Sequence, residues 1–345
     1  MDMIKDKDVQ TAGLRQSLTE VVAQYRAFAA KVGAVTPALP RTGQAADEVI
    51  ALAGIDSTNV LARRLLTTGE LRVVDESGSA RMVAICADAQ TKGHGRLGRK
   101  WADKAGGASF LVTFVTALPE RLVTNTQYNG WFTITAGLAA LDALNGALSE
   151  CAAKPLAGDG DSDVSGLLTL KWPNDIFYDG HKLGGILAEL VELPEGANAM
   201  ALQNRQLSQP VSIEPAVGVM FGIGINLGLP VEMLPTPIST SLQLLYAPLP
   251  DAARVRDMVA SRLVASLRKR LVAFAAAPKA ELPRLLDETR ANCWTLGRRV
   301  EAKFTDGSTL TGKAVELNSD ASLTVEDELT GARHVVKTAD VGVLA

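Results

Sequence analysis

The chain has 345 residues, 47% hydrophobic and 21% charged, so it can bury a large core and lies outside the disordered class. A formal net charge of −3 argues against a general nucleic-acid binder. Three scattered cysteines and three histidines form no zinc pattern, and they suit a reducing compartment.

The opening MDMIKDKDVQ is charged and lacks an apolar segment, so it does not read as a signal peptide. No run reaches the ~18 apolar residues of a membrane helix, and a cytoplasmic protein without a membrane partner is expected. Apolar spacing predicts one amphipathic helix from Val9 to Val32. Residues 34–48 read as a linker. This arm is too short and too helical for a DNA-reading domain, so no DNA partner is expected.

From residue 49 the pattern is mixed α/β. Asp56-Ser57-Thr58-Asn59 precedes a helix to about Leu66 and offers cap residues for it. RMVAICAD (81–88) is a strand that leads into GHGRLGRKW (93–101). Glycines at that density let backbone N–H groups turn inward onto an anion. Arg96 and Arg99 add forked donors that match phosphate or carboxylate oxygens. The stretch lacks the GK[ST] ending of a P-loop and opens no helix, so the dinucleotide fingerprint also fails. Spacing alone supports a loop for a phosphorylated or carboxylated ligand, weighed against an ordinary turn with solvated cations.

ASFLVTFVTA (108–117) is a β-branched and aromatic strand, and 126–152 a long helix. The Gly/Asp/Ser-rich segment 156–166 reads as a loop. LLTLKW (167–172) is a strand ended by Pro173. Lys171, Asn174 and Asp175 suit a simple turn, or the handling of phosphate, ribose or a metal-bound nucleotide. Asp179-Gly180 predicts a hairpin. Lys182 follows it, and Gly184-Gly185 inside the returning strand implies close approach of a ligand or another backbone. Residues 194–212 read as irregular. PAVGVMFGIGINLGL (215–229) is a buried strand in which Asn226 needs either a structural partner or a ligand. Helices follow at 251–276 and 281–292. The last fifty residues alternate in short strands, a small β-barrel beginning near Gly297 and Arg298. No Ser-His-Asp set or Cys-His pair indicates a covalent nucleophile.

Four of these stretches occur in order: DSTN, then Q-x-x-G-x-G-R-x-G-R-x-W, then KWPND with KLGGIL, then GIGIN. Over about residues 50–345 that order resembles the biotin protein ligases. The resemblance implies an α+β catalytic domain of the class II synthetase-like kind, with a mixed, largely antiparallel sheet flanked by helices, and a C-terminal SH3-like barrel. The implied division is an N-terminal helix and linker (1–48), the catalytic domain (49–292) and the barrel (293–345). The implied activity makes biotinyl-5′-AMP from biotin and ATP, with Mg²⁺ accompanying the ATP. Biotin then passes to a lysine of a biotin carboxyl carrier domain, and a homodimer is among the assemblies allowed.

Residue by residue, the resemblance implies a biotin site of Ser57, Thr58, Asn59, Gln90, Gly93, His94, Gly95, Arg96, Lys182 and Gly185. It implies an adenylate site of Arg96, Arg99, Trp101, Asn174, Asp175 and Asn226, with Lys182 and Arg96 as the catalytic pair. The loop at 91–102 is expected to be mobile without ligand and to fold over the intermediate. Three departures stand out. His94 replaces the usual arginine, Lys92 replaces the usual alanine and becomes the candidate for the missing cation, and VGVLA carries no arginine that would reach the nucleotide. The competing readings are a lipoate or octanoate ligase or transferase on a related fold, a biotin-responsive repressor and a non-catalytic nucleotide-binding protein.

Overall fold

A computed structural model describes residues 3–101, 106–156, 167–203 and 210–344. The expected loop at 156–166 therefore lies, apart from Leu156, outside the described residues. Helix α1 (Met3–Lys31) opens the chain. Leu14, Val21 and Ala29 are buried along it and Leu18 and Tyr25 partly so, the helical stripe that the sequence predicts.

The expected linker contains a second helix, α2 (Pro40–Ala45). Its leading amides are capped from far along the chain. Asp257 accepts from the N–H groups of Arg41 (3.0 Å) and Thr42 (2.9 Å) and from the Thr42 hydroxyl (2.7 Å). A cap supplied 215 residues downstream leaves no local signature.

The body then runs β1 (Glu48–Ile55), α3 (Thr58–Thr67), β2 (Val83–Gln90), the two-residue strands β3 (Gly93–His94) and β4 (Lys100–Trp101), and β5 (Ser109–Pro119). After α4 (Glu120–Val123) and α5 (Asn129–Glu150) come β6 (Lys154–Pro155), β7 (Leu168–Lys171), β8 (Asp175–Tyr178), β9 (His181–Glu192), β10 (Ala199–Gln203) and β11 (Pro210–Asn226). The helical part closes with α6 (Leu242–Leu245), β12 (Tyr246–Ala247), α7 (Ala252–Ala276) and α8 (Pro278–Asn292). Within the region read as irregular, residues 199–203 form β10, which pairs antiparallel with the start of β11; residues 204–209 of that region lie outside the described residues.

One eight-stranded sheet carries the body in the order β1-β2-β5-β11-β9-β8-β7, with β10 alongside β11. The β1–β2 ladder is parallel and the other described ladders of this sheet are antiparallel. Strand alternation on β11 decides where a ligand can lie. Val219, Phe221, Ile223 and Ile225 point into the core shared with α5 and α7. Gly218, Gly222 and Gly224 occupy the opposite face, where their missing side chains leave room for Leu66 and Leu193, for Asn59 and for Trp101.

Strands β13 (Arg299–Lys303), β14 (Thr309–Leu317), β15 (Leu323–Asp327), β16 (Arg333–Val336) and β17 (Asp340–Val343) form a five-stranded antiparallel sheet, in the order β16-β15-β14-β13-β17. Two buried indoles fix it to the body. Trp131 Nε1 donates to Ser319 O (2.8 Å) and Trp172 Nε1 to Ala321 O (2.9 Å), which satisfies the one polar atom of each ring. Trp294 N–H donates to Leu170 O (2.8 Å) across the same junction. Among the described residues no helix is long and apolar enough to cross a membrane.

Candidate active site

On the glycine face of β11 lies a cleft of about 750 Å³. One end of it is polar. Ser57 stands at the N-cap of α3 without a side-chain cap bond. The backbone is secured instead by Gln90, whose Oε1 accepts the Thr58 N–H at 2.7 Å, and by Asp56, whose Oδ1 accepts the Ser57 N–H at 2.7 Å. Asp56 is in turn bonded to Tyr25 on α1, where burial and then the Asp56 carboxylate push the phenol upward. Ser57, Thr58, Asn59 and Gln90 are all buried, yet all reach the cleft wall.

GHGRLGRKW folds as a hairpin. β3 and β4 pair Gly93 with Trp101 and His94 with Lys100. Leu97 and Gly98 turn it with φ of 55° and 73°, and glycine is suited to the second of these. Trp101 lies against β11 where Gly224 leaves room, and a Cβ on Gly224 would stand 2.7 Å from the indole carbons. Gly224→Ala is therefore expected to unseat Trp101. The check is limited proteolysis, with faster cleavage within 93–101 than in the parent and weaker protection by biotin plus ATP.

His94, Gly95, Arg96, Arg99 and Trp101 all face the cleft. The His94 ring folds back onto its own strand, with Nδ1 bonded to Lys92 O. Lys92 is exposed and does not line the cleft. The cation opposite His94 is Lys100, which does line it.

Cations gather around one carboxylate at the centre. Lys182 Nζ is 2.8 Å from Asp175 Oδ1, and Lys171 Nζ is 3.5 Å from Asp175 Oδ2. Arg96 donates to Asn174 Oδ1 at 3.2 Å, and Asn174 Nδ2 donates to Ile186 O at 2.8 Å. Burial pulls Lys171 and Arg96 below their ordinary values, and Asp175 only partly offsets it. Their charge is thus held against a desolvation cost that an incoming anion would relieve. Gly185 faces this cluster, and a Cβ there would meet Lys182 Nζ at 3.4 Å.

Two candidates lie off the wall. Gly93 packs in the hairpin, where a Cβ would stand 3.0 Å from Trp101 Cβ and 3.2 Å from Gln90 Nε2. Asn226 is buried behind the wall, and its Nδ2 donates to Thr240 O at 2.8 Å. It fixes the segment that flanks Lys182, since Lys182 N–H donates to Ile238 O (2.7 Å) and Thr240 N–H to Lys182 O (2.9 Å).

The C-terminal sheet adds residues the motifs did not indicate. β17 brings a carboxylate in place of the arginine sought there. Asp340 pairs with Arg99 at 2.9 Å and so ties the hairpin to this sheet. β13 brings Lys303, and just before it the Arg298 guanidinium stacks 3.5 Å above the Trp294 ring at the cleft. Spacing could not have found these side chains, because only the docking of two units brings them there.

Comparisons with known proteins bear on the family and the fold. A family model described as the biotin/lipoate A/B protein ligase family matches residues 76–200. The biotin–[acetyl-CoA-carboxylase] ligase of Mycobacterium tuberculosis is 31% identical over 257 residues, 74% of this chain and 77% of that protein. Its counterpart from Paracoccus denitrificans is 32% identical over 151 residues, 44% of this chain and 50% of that protein. Among solved structures, a mutant biotin protein ligase from Aquifex aeolicus in complex with biotin superposes with a TM-score of 0.55 at 22% identity, covering 86% of this chain and 99% of that one. The same organism's ligase in complex with biotin and ATP gives 0.51 at 23% identity, over 86% and 96%. At that identity the structural likeness speaks for the fold.

Proposed function

The chain belongs to the biotin–[acetyl-CoA-carboxylase] ligases, and we propose that this cleft carries out both half-reactions of that activity. In the first, a biotin carboxylate oxygen attacks the α-phosphorus of ATP. The bond to the β-phosphate bridging oxygen breaks, and pyrophosphate leaves with the electron pair. In the second, the neutral amine of a carrier lysine attacks the acyl carbon of biotinyl-5′-AMP. An amide forms, AMP departs with the bonding electrons, and the amine proton is lost.

The carrying observation is the cation cluster of Arg96, Lys171 and Lys182, placed between a polar end and the Trp101 shelf. Carboxylate attack on phosphate brings two anions together, and preorganised donors offset both that repulsion and the charge growing on phosphorus. Ser57, Thr58, Asn59 and Gln90 would hold the ring end of biotin, with Gly95, His94 and Gly185 along its chain. Arg99, Trp101, Asn174 and Asp175 would lie with the nucleotide. Lys182 would touch the carboxylate and the α-phosphate, with Arg96 beside it.

Mg²⁺ is assigned to the ATP as part of the substrate. Among the described residues no group of three or more His, Cys, Asp or Glu side chains could hold a metal. The carrier domain of acetyl-CoA carboxylase is the proposed protein partner, as the names of the relatives suggest.

The test is exchange of labelled pyrophosphate into ATP. Exchange that depends on biotin and is not supported by lipoate is the expected result. Exchange with lipoate and none with biotin would move the chain to the lipoate branch of the family.

A further inference from the structure

Next to the polar end of the cleft lies a chain of hydrogen bonds that ends on a residue outside the wall, Glu189 of β9. Asn59 and Arg63, one turn apart on α3, converge on its carboxylate. Asn59 Nδ2 donates to Oε2 at 2.6 Å and Arg63 Nη2 to Oε1 at 2.8 Å. On the other side, Thr113 Oγ1 lies 2.6 Å from Asn59 Oδ1 and 2.8 Å from Thr58 Oγ1. Thr58 Oγ1 is also 3.2 Å from Gln90 Oε1. Gly222 leaves the space these groups use, since a Cβ there would overlap the Asn59 amide.

We propose that Glu189 is a positioning residue for biotin, setting the donor and acceptor directions of the Asn59–Thr113–Thr58 relay that faces the biotin ring. This rests on the assignment of the polar end to biotin. The reasoning follows from what each atom can do. A carboxylate accepts, so the Asn59 amide must turn its Nδ2 toward Glu189 and its Oδ1 toward Thr113. An amide oxygen cannot donate, so the single Thr113 proton goes to Asn59. The contact between the two hydroxyls is then made by the Thr58 proton. Gln90 Oε1 accepts the Thr58 N–H at 2.7 Å, and its contact with the Thr58 hydroxyl is longer, 3.2 Å against 2.8 Å to Thr113. Thr58 Oγ1 is left with lone pairs for a ligand N–H, which matches a ureido ring that presents N–H donors.

Without Glu189 the amide has no reason to prefer one orientation. Flipping it would turn an N–H onto Thr113, send the Thr113 proton to Thr58 Oγ1 and the Thr58 proton to Gln90 Oε1, and so occupy one of the two lone pairs that Thr58 offers a ligand N–H. Arg63 holds the carboxylate from the solvent side, while Thr113 is fully buried.

Steady-state pyrophosphate exchange on Glu189→Gln, Thr113→Val, Asn59→Ala and the double variant Asn59→Ala/Glu189→Gln tests this. Glutamine fills the same space but can face the amide either way. The expected result is a biotin KM raised by roughly tenfold in Glu189→Gln, the order of one misdirected buried hydrogen bond. The ATP KM and kcat should stay within about twofold on the same reasoning. The double variant should be no worse than Asn59→Ala alone, because Glu189 acts through Asn59. Thr113→Val removes the middle proton, should move the biotin KM the same way, and serves where Glu189→Gln does not fold. Loss spread equally over the biotin and ATP KM values would mean a merely structural role and overturn the proposal. So would additive effects in the double variant. If Asn59→Ala raises the biotin KM and Glu189→Gln does not, the relay alone falls. If Asn59→Ala leaves it unchanged, the relay and the biotin placement fall together.

Discussion

Lys182→Ala is expected to lower biotin-dependent pyrophosphate exchange by ~10²–10³-fold, the range for removing one preorganised donor from a developing charge. Its ammonium lies 2.8 Å from Asp175, and its backbone is clamped on both sides by the 238–240 segment. It is therefore held in place before any ligand arrives. Asp175 is positioned to exchange partners. On the proposed reading, Lys182 would turn its protons to incoming anions, and Lys171 at 3.5 Å would remain to balance the carboxylate. Arg96→Ala should fall in the same range. Lys182→Arg should recover little, because a planar fork cannot place its charge where a compact ammonium on a shorter reach did. Stability should hardly change on Lys182→Ala, because Asp175 keeps Lys171. Near-parental exchange in Lys182→Ala would remove the residue from the chemistry.

A second consequence concerns pH. Burial lowers Lys171 and Arg96, so Lys171 sheds its proton at a lower pH than a free lysine. Affinity for the anionic intermediate should thus weaken on the alkaline side before ordinary lysines titrate. An anion bound beside Lys171 favours the charged form and pushes that limb back upward.

Much of the site was legible because it rests on backbone demands that leave marks in the sequence. The hairpin glycines, the glycine face of β11 and the strand-ending Pro173 each report a local constraint. What escaped is what tertiary docking supplies. Asp340 and Lys303 come from another sheet, and Arg298 stacks on Trp294 at the junction. The α2 cap comes from Asp257. Glu189 is one acidic residue in a strand, with nothing near it in sequence to single it out. Asn226 shows the opposite case, since a polar residue in an apolar strand drew attention but serves the wall from behind.

Arg256→Ala is expected to cost ~3–5 kcal/mol of folding stability, the range for removing one partner of a buried ion pair. The Arg256 side chain is 1% exposed and that of Asp88 2%. Nη1 approaches Asp88 Oδ1 at 2.9 Å as an ion pair. Nε donates to Ser109 O (3.2 Å), and Nη2 to Ser109 O and Gly107 O (3.0 Å each). Asp88 Oδ2 accepts the Val35 N–H at 2.9 Å. One charge pair on β2 and α7 thus joins the chain just after α1 to the backbone that leads from the hairpin into β5. Alanine would leave the buried Asp88 carboxylate with the Val35 N–H but no countercharge and free two carbonyls of their Arg256 donors. Urea unfolding should show a lower midpoint with an unchanged slope, since the surface exposed on unfolding is the same. Arg256→Met combined with Asp88→Asn removes both charges and should recover most of the loss, because the penalty belongs to the orphaned carboxylate rather than to the missing pair. If the single variant lost under 1 kcal/mol, water would have to reach Asp88 in it. The pair would then be a surface-like contact, and the hairpin root would need another anchor.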